Sequence, residues 1–172
     1  MKEIENILEK NGQKCFCHND IGQGANLIWN QKRVYIIDWE LSGEDYPYCD
    51  IGTILINLLF TPEHTKFYLD GYYGRERTEK EEALIFFGGQ YGVLRYVLIL
   101  LGEIQELPSD ITQKDVDEIL EWNQLLTGKM KLQREEFGTS KGAFKTAVML
   151  FKQAEINLAS EKCKIMKGRL KA

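Results

Sequence analysis

The sequence predicts an α+β protein that is mainly α-helical, with a small β-hairpin near the N-terminus. After residue 48, apolar residues recur at helical spacing over most of the chain. Before that point, short apolar runs alternate with turn-forming residues, as in short strands joined by tight turns. The chain has 172 residues, 44% of them hydrophobic, which is enough for a substantial core. We therefore expect a single domain over residues 1–172.

The N-terminal part is predicted to contain one helix and three strands. Residues 2–10 carry apolar side chains on one face and precede Asn11 and Gly12, which is typical of a short amphipathic helix with a C-terminal stop. The later two strands are expected to pair as a hairpin. The strands are expected at residues 14–17, 26–29 and 33–38, with a tight turn at residues 30–32 and a turn-rich loop at residues 39–47.

The remainder is predicted to be helical. An apolar stripe indicates a first helix from residue 48, and Pro62 is expected to begin a second one that Gly71 and Gly74 end. Further helices follow, the last with apolar residues at helical spacing from 144 to 158. Their expected features are a long helical region at 78–106 with a candidate break at Gly88-Gly89, an interruption at Pro108, and an N-terminal capping box at 112–115.

Charge and composition exclude several classes of partner. The net charge is -4, and the pI of about 5.4 gives no sign of nucleic-acid binding. No positively charged segment followed by an apolar one opens the chain, so no secretory signal is expected. The most apolar segment, residues 83–101, is interrupted by Gly88, Gly89, Gln90 and Arg95, which argues against a membrane span. Together with four cysteines in no disulfide pattern, this predicts a reduced, cytoplasmic protein.

The polar residues near the N-terminus lie in two groups. His18, Asn19 and Asp20 occupy one loop together with Asn26, and Asp38 ends the following predicted hairpin. Phosphoryl transfer from ATP needs one carboxylate to accept or orient the substrate hydroxyl proton. It also needs a second carboxylate and an amide oxygen to hold Mg²⁺ against the phosphates. A loop followed by a hairpin supplies these groups in this order.

These residues resemble a known family. The segments H-N-D-I, N-L-I-W and V-Y-I-I-D-W-E-L-S-G-E-D-Y-P-Y-C-D-I-G, within about residues 15–52, are similar to the aminoglycoside phosphotransferase / choline kinase family of small-molecule kinases. The combination of D-W-E with S-G and D-I-G favours choline- and ethanolamine-type kinases. The resemblance implies a kinase-like C-terminal lobe that uses Mg²⁺ and ATP. The roles that it implies are catalytic base for Asp20, brace of the catalytic loop for His18, Mg²⁺ ligands for Asp38 and Asn26, and structural support from below the loop for Asp50.

Two departures from the family pattern affect this interpretation. Kinase catalytic loops keep four residues between the Asp and the Asn, whereas five separate Asp20 from Asn26 here. Either the glycines let the loop bulge, or Gln23 supplies the ligand oxygen, or metal binding is impaired. In addition, the fourteen residues before Cys15 contain neither a Gly-rich phosphate loop nor a strand lysine. We therefore expect an isolated C-terminal lobe, with the catalytic loop and hairpin at residues 15–50, a helical substrate subdomain at residues 51–172 and no nucleotide lobe.

Several expectations about ligands and partners remain open alternatives. Glu40, Glu44 and Asp45, beside Tyr46, are predicted to form an acidic rim. This rim is expected to attract a cationic substrate. The run from Cys15 to His18 has the residue types of half a zinc site, but no second Cys/His pair follows it in the sequence, which disfavours zinc. A kinase-like lobe without catalysis, acting as a binding or regulatory module, is the alternative function. If the face left by the absent lobe is apolar, we expect it to be covered by a second copy or by a nucleotide-lobe partner.

Overall fold

The computed structural model describes residues 1–22, 26–104, 111–125 and 138–171. The predicted fold class is confirmed: most described residues are helical, and the strands are short and antiparallel. The elements are α1 (Lys2–Asn11), β1 (Cys15–Cys17), β2 (Leu27–Trp29), β3 (Val34–Ile36), β4 (Gly43–Asp45), α2 (Pro47–Asn57), α3 (Pro62–Tyr73), α4 (Glu79–Glu103), α5 (Gln113–Glu118), a 3₁₀ turn (Trp122–Leu125), α6 (Ser140–Ala159) and α7 (Glu161–Arg169).

The strands form two separate antiparallel pairs. β2 and β3 make the predicted hairpin, with Trp29 opposite Val34. β1 pairs with β4, which places Cys15 opposite Asp45. The prediction that residues 39–47 form only a loop is therefore wrong. Gly, Glu and Asp have low strand propensity, so β4 is imposed by its distant partner β1 and gives no local signal in the sequence.

The described contacts divide the chain into two compact units. One comprises Met1–Gly92 and Glu161–Ala172, and the other comprises Val93–Ser160. In the second unit, the Lys152 ammonium donates to the carbonyl oxygens of Val116 and Ile119, at 2.7 and 2.6 Å, and so caps the end of α5. A single domain over residues 1–172 stays a prediction.

In the first unit, α2 and α4 cross at close range. A Cβ atom on Gly52 would lie 2.4 Å from the Gly89 backbone nitrogen, and one on Gly88 would lie 2.4 Å from the Tyr48 carbonyl oxygen. α4 is continuous through this point, so the candidate break at Gly88-Gly89 is wrong. The glycines serve instead to let the two helix backbones approach each other.

The helix ends agree with the sequence in some places and differ in others. α3 ends at Gly74, which adopts the left-handed conformation with φ 61°, whereas Gly71 lies inside the helix. The predicted capping box of α5 is present between Thr112 and Asp115. Pro108 lies outside the described residues.

Among the described helices, only α4 is long and apolar enough to span a membrane. Half of its most apolar 18-residue window is buried inside the fold. That the chain does not span a membrane therefore stays a prediction.

Candidate active site

The loop that follows β1 is fixed to the first turn of α2 by Asp50. The Asp50 carboxylate accepts hydrogen bonds from the backbone N–H groups of His18, at 2.7 Å, and Asn19, at 2.9 Å. Burial raises the pKa of Asp50, and these two hydrogen bonds oppose the rise. The carboxylate therefore satisfies two donors of a loop that would otherwise be poorly held.

His18 joins this loop to the end of β3. Its Nδ1 accepts a hydrogen bond from the backbone N–H of Asp20 at 3.2 Å, and its Nε2 lies 2.8 Å from the Ile37 carbonyl oxygen. Because a backbone N–H can only donate, Nδ1 must be unprotonated, and Nε2 carries the proton that it donates to Ile37. The ring is 2% exposed and packs against Trp39, with ring centroids 4.6 Å apart.

Asn26 connects the loop to the hairpin. Its side-chain nitrogen donates to the Asp20 carboxylate at 2.8 Å and to the Asp20 carbonyl oxygen at 2.9 Å. Its backbone carbonyl oxygen accepts a hydrogen bond from the Ile37 backbone N–H at 3.1 Å. The longer loop thus still brings Asn26 to Asp20. Gln23, the alternative source of a ligand oxygen, lies outside the described residues.

Asp38 lies directly after the residue that bonds to Asn26. It is exposed and has a left-handed backbone with φ 64°, which turns the chain out of β3. This conformation is uncommon outside glycine, although Asp tolerates it better than most residues do. Beyond it, Trp39 donates from Nε1 to the Ile36 carbonyl oxygen at 2.9 Å, and Ser42 donates from its backbone N–H to the Trp39 carbonyl oxygen at 3.0 Å. This compact turn carries the chain from β3 to β4.

Asn19 is a residue of this site to which the sequence analysis gives no role. It has φ 67°, and its side-chain nitrogen donates to the Leu41 carbonyl oxygen at 3.1 Å. It therefore ties the loop to the segment that follows Asp38. An Asn between His18 and Asp20 was the available signal, since Asn is enriched at left-handed positions.

The donor set is of the kind that binds Mg²⁺. The side-chain hydrogen bonds of Asn26 given above use its amide nitrogen, which leaves the amide oxygen as the atom suited to a cation, and Asp38 offers an exposed carboxylate. In the described part of the chain, no group of three or more His, Cys, Asp and Glu side chains could hold a metal ion. Mg²⁺ does not require such a group, because it commonly binds one or two carboxylates together with substrate phosphates.

The four residues predicted for the substrate rim fall into two pairs. Glu40 and Glu44 are exposed, whereas Asp45 and Tyr46 are buried, with 9% and 7% of their surface accessible. The Asp45 carboxylate accepts from the Tyr46 backbone N–H at 2.8 Å. A substrate role for these residues stays a prediction, and Glu40 and Glu44 are the two acids that solvent reaches.

Comparison with known proteins points to phosphotransferases. Residues 1–84 match the phosphotransferase enzyme family. Protein LicA of Haemophilus influenzae is 38% identical over 56 residues, which are 33% of this chain and 21% of LicA. The crystal structure of a choline/ethanolamine kinase family protein from Mesorhizobium loti has a similar fold, with a TM-score of 0.64 and 16% identity over 98% of this chain.

The relatives are longer than this chain. It covers 48% of the Mesorhizobium loti protein, and at 16% identity that likeness concerns the fold. The family match over residues 1–84 contains every residue predicted above for the site. The family match, over just under half of the chain, and the shared fold support the aminoglycoside phosphotransferase / choline kinase-like family.

Proposed function

We propose that this chain is the C-terminal lobe of an ATP-dependent phosphotransferase that acts on a hydroxyl group of a small, amine-bearing molecule of the choline, ethanolamine or aminoglycoside type. The family match and the kinase-like fold support a small-molecule phosphotransferase. The observation that carries the proposal is a continuous set of hydrogen bonds. Asp20 is bonded to Asn26, and Asn26 is bonded to the residue before Asp38.

In this proposal Asp20 accepts or orients the proton of the substrate hydroxyl group. The hydrogen bond from Asn26 fixes one of its carboxylate oxygens, Oδ2. The backbone of Asp20 is fixed at the same time, because its N–H donates to His18. Asp20 is therefore positioned before a substrate arrives. Positioning of the reacting groups, together with charge stabilisation, supplies most of the rate enhancement in phosphoryl transfer.

Asp38 and Asn26 are the residues that would hold Mg²⁺. The ion, when bound, neutralises charge on the phosphates of ATP. His18 positions both residues, because its Nε2 donates to the carbonyl oxygen of Ile37. Ile37 precedes Asp38 in the chain and is hydrogen-bonded to the backbone of Asn26. We expect the 172-residue chain alone to have weak or no activity, because it lacks a recognisable Gly-rich loop and strand lysine for the phosphates.

A substrate carrying an amine fits the charge around the site. Glu40 and Glu44 are exposed on the segment that follows Asp38. Trp39, which is 46% exposed, adds an aromatic ring next to them. Carboxylates attract a cation over a distance, and an aromatic face binds it at close range.

The second candidate function is a kinase-like binding or regulatory module without catalysis. It is favoured by the one-residue-longer loop before Asn26 and by the apolar surface of the hairpin. Both strands of the hairpin expose large apolar side chains, with Trp29 at 71% and Val34 at 61% exposure. In either function we propose that this surface is covered, by a second copy of the chain or by a nucleotide lobe. We also propose a cytoplasmic protein with no nucleic-acid or membrane partner.

Titration calorimetry of Mg²⁺·ATP into the chain tests the proposal, with Asp38→Asn as the variant. Asp117→Asn is the matched control, since Asp117 is an exposed aspartate in the other compact unit. Binding that Asp38→Asn abolishes and Asp117→Asn preserves would support a metal–nucleotide site. A screen of amino-alcohol acceptors should then show weak turnover at most, and Asp20→Asn should remove it.

The opposite results separate the two functions. No heat from wild-type protein would remove the support for a nucleotide site in this lobe and favour the binding module. Equal binding by wild type and Asp38→Asn would place the nucleotide elsewhere and contradict the role of Asp38.

A further inference from the structure

Two cysteines lie side by side in the strand that leads into the catalytic loop. The sulfur atoms of Cys15 and Cys17 are 3.7 Å apart. Residues two apart in a strand point to the same face, so this proximity follows from the strand itself. Cys15 is exposed, while Cys17 is 4% exposed and donates its thiol hydrogen to the Asp45 carbonyl oxygen at 3.3 Å.

We propose that Cys15 and Cys17 form a redox-sensitive dithiol, which a low-molecular-weight disulfide converts to an intrachain disulfide that distorts β1 and loosens the catalytic loop. The site is separate from the residues assigned above to phosphoryl transfer. Its oxidation chemistry does not depend on the proposed function, and only the consequence for catalysis rests on it.

The exposed thiol reacts first. The Cys15 thiolate attacks one sulfur of the small disulfide, which forms a mixed disulfide and releases one small thiolate. The Cys17 thiol then loses its proton to solvent and attacks the Cys15 sulfur, which releases the second small thiolate. The two cysteines lose two electrons and two protons in total, and the small disulfide becomes two thiols.

The second step is expected to be the slower one. Burial raises the pKa of Cys17 to about 12, and the hydrogen bond with Cys15 and the charges of Asp50 and Asp45 add to the rise. Cys17 is therefore a thiol at neutral pH, whereas the attacking species is the thiolate. A mixed disulfide on Cys15 should accumulate before the ring closes.

Ring closure and strand geometry conflict. Two residues of an extended strand rise about 6.6 Å, near the upper end of the roughly 4.4–6.8 Å that disulfides span between Cα atoms. Closing the bond also removes the Cys17 thiol hydrogen that the Asp45 carbonyl oxygen accepts, within the β1–β4 pair. His18 follows Cys17 directly, so a shift of β1 moves the backbone N–H groups that donate to Asp50.

The test exposes the full chain to bis(2-hydroxyethyl) disulfide and follows its intact mass, with peptide mapping. We expect wild-type protein to gain one mercaptoethanol adduct and then to lose it, ending with a mass lower by two hydrogen atoms and a Cys15–Cys17 link. Cys17→Ser should stop at the adduct, and Cys15→Ser should not react at this strand. Cys163→Ser, which removes a buried thiol in α7, should behave like wild type.

Amide hydrogen exchange then tests the coupling to the loop without any measurement of activity. In the oxidised chain, the His18 and Asn19 amides should exchange roughly tenfold faster, and a reducing agent should restore their protection. Wild-type protein that stops at the adduct, or a Cys15 that never reacts, would overturn the proposed dithiol. A disulfide that leaves the exchange of both amides unchanged would overturn its effect on the loop.

Discussion

The α2–α4 crossing and the β2–β3 hairpin belong to the same compact unit but are held in opposite ways. At the crossing, Gly52 and Gly89 bring two helix backbones so close that no side-chain atom fits between them. On the hairpin, the cross-strand pair Trp29 and Val34 is mostly exposed. The crossing is held by tight packing between helix backbones, whereas the hairpin presents apolar side chains to solvent.

The difference lies in what fixes each region in place. The crossing depends on buried contacts between backbones, which determine whether the unit folds. The described polar contacts that attach the hairpin come largely from the candidate site, through the ring of His18 on Ile37 and the side chain of Asn26 on Asp20. The position of Asp38 therefore depends on a few hydrogen bonds, and the stability of the unit depends on packing elsewhere.

The largest expected effect comes from adding one methyl group at the crossing. In Gly52→Ala, the new Cβ would lie 2.4 Å from the Gly89 nitrogen and 2.5 Å from the Ile85 carbonyl oxygen, both of them backbone atoms. We expect the free energy of unfolding to fall by about 3 kcal/mol or more, because neither atom moves without its helix. Urea denaturation measures this change.

Gly71→Ala is the matched control for that substitution. Gly71 also lies in a helix, but nothing is within 4 Å of its added Cβ. Because alanine favours a helix over glycine, the control should gain up to about 1 kcal/mol. Equal denaturation midpoints for the two variants would contradict the proposed packing at the crossing.

A smaller effect is expected from His18→Ala, which detaches the hairpin. The change leaves the Asp20 N–H and the Ile37 carbonyl oxygen without the partners that they have here. The cost should be roughly 1–3 kcal/mol, with faster proteolytic cleavage within residues 26–38. His64, the other histidine, is exposed on α3, so His64→Ala should leave the cleavage rate unchanged. Equal rates for both variants would mean that His18 does not hold the hairpin.

A third effect is confined to alkaline pH and concerns Tyr68. Burial raises the pKa of Tyr68 to about 12, with Tyr72 and Asp50 adding to the rise. Its folded-state pKa lies above the unfolded value of about 10, so its contribution to stability is complete below pH 10 and is lost as pH rises towards 12. Tyr68→Phe should flatten the fall in thermal midpoint over that range. Tyr35→Phe, on the exposed hairpin, should follow wild type, and identical curves for all three would refute the assignment.

The sequence predicted those features that have a local signal. The hairpin and the helices follow from the spacing of apolar residues and from turn formers, and the roles expected of Asp20, Asn26 and Asp38 follow from the family resemblance. Their roles remain predictions, although the structure brings Asn26 to Asp20 and to the end of β3.

Features that depend on distant partners escaped prediction. β4 is a strand because β1 pairs with it, and its own residues are poor strand formers. Two adjacent glycines, Gly88 and Gly89, predict a helix break by themselves. The α2 backbone that fills the space beside them is far away in sequence and gives no local signal. Asp45 and Tyr46 are predicted from the sequence to lie in an exposed substrate rim but are buried, and their acidic and aromatic side chains give no local sign of that burial.

The smallest effect on stability is expected where the hairpin is most exposed. Replacing Trp29 and Val34 with threonine keeps strand propensity and removes apolar surface, so the free energy of unfolding should change by no more than about 0.5 kcal/mol per site. Self-association should fall markedly if a second copy covers the hairpin. Phe67→Ser removes an aromatic ring that is 83% exposed on α3, and it controls for the loss of any exposed ring.

Sedimentation velocity at rising protein concentration measures this difference. A wild-type dimer that the double threonine variant abolishes and Phe67→Ser retains would identify the hairpin as the interface between copies. A wild-type chain that stays monomeric throughout would exclude the second copy. The hairpin surface would then be left to a nucleotide lobe, and because Asp38 ends this same hairpin, that lobe would meet the chain next to the proposed metal ligands.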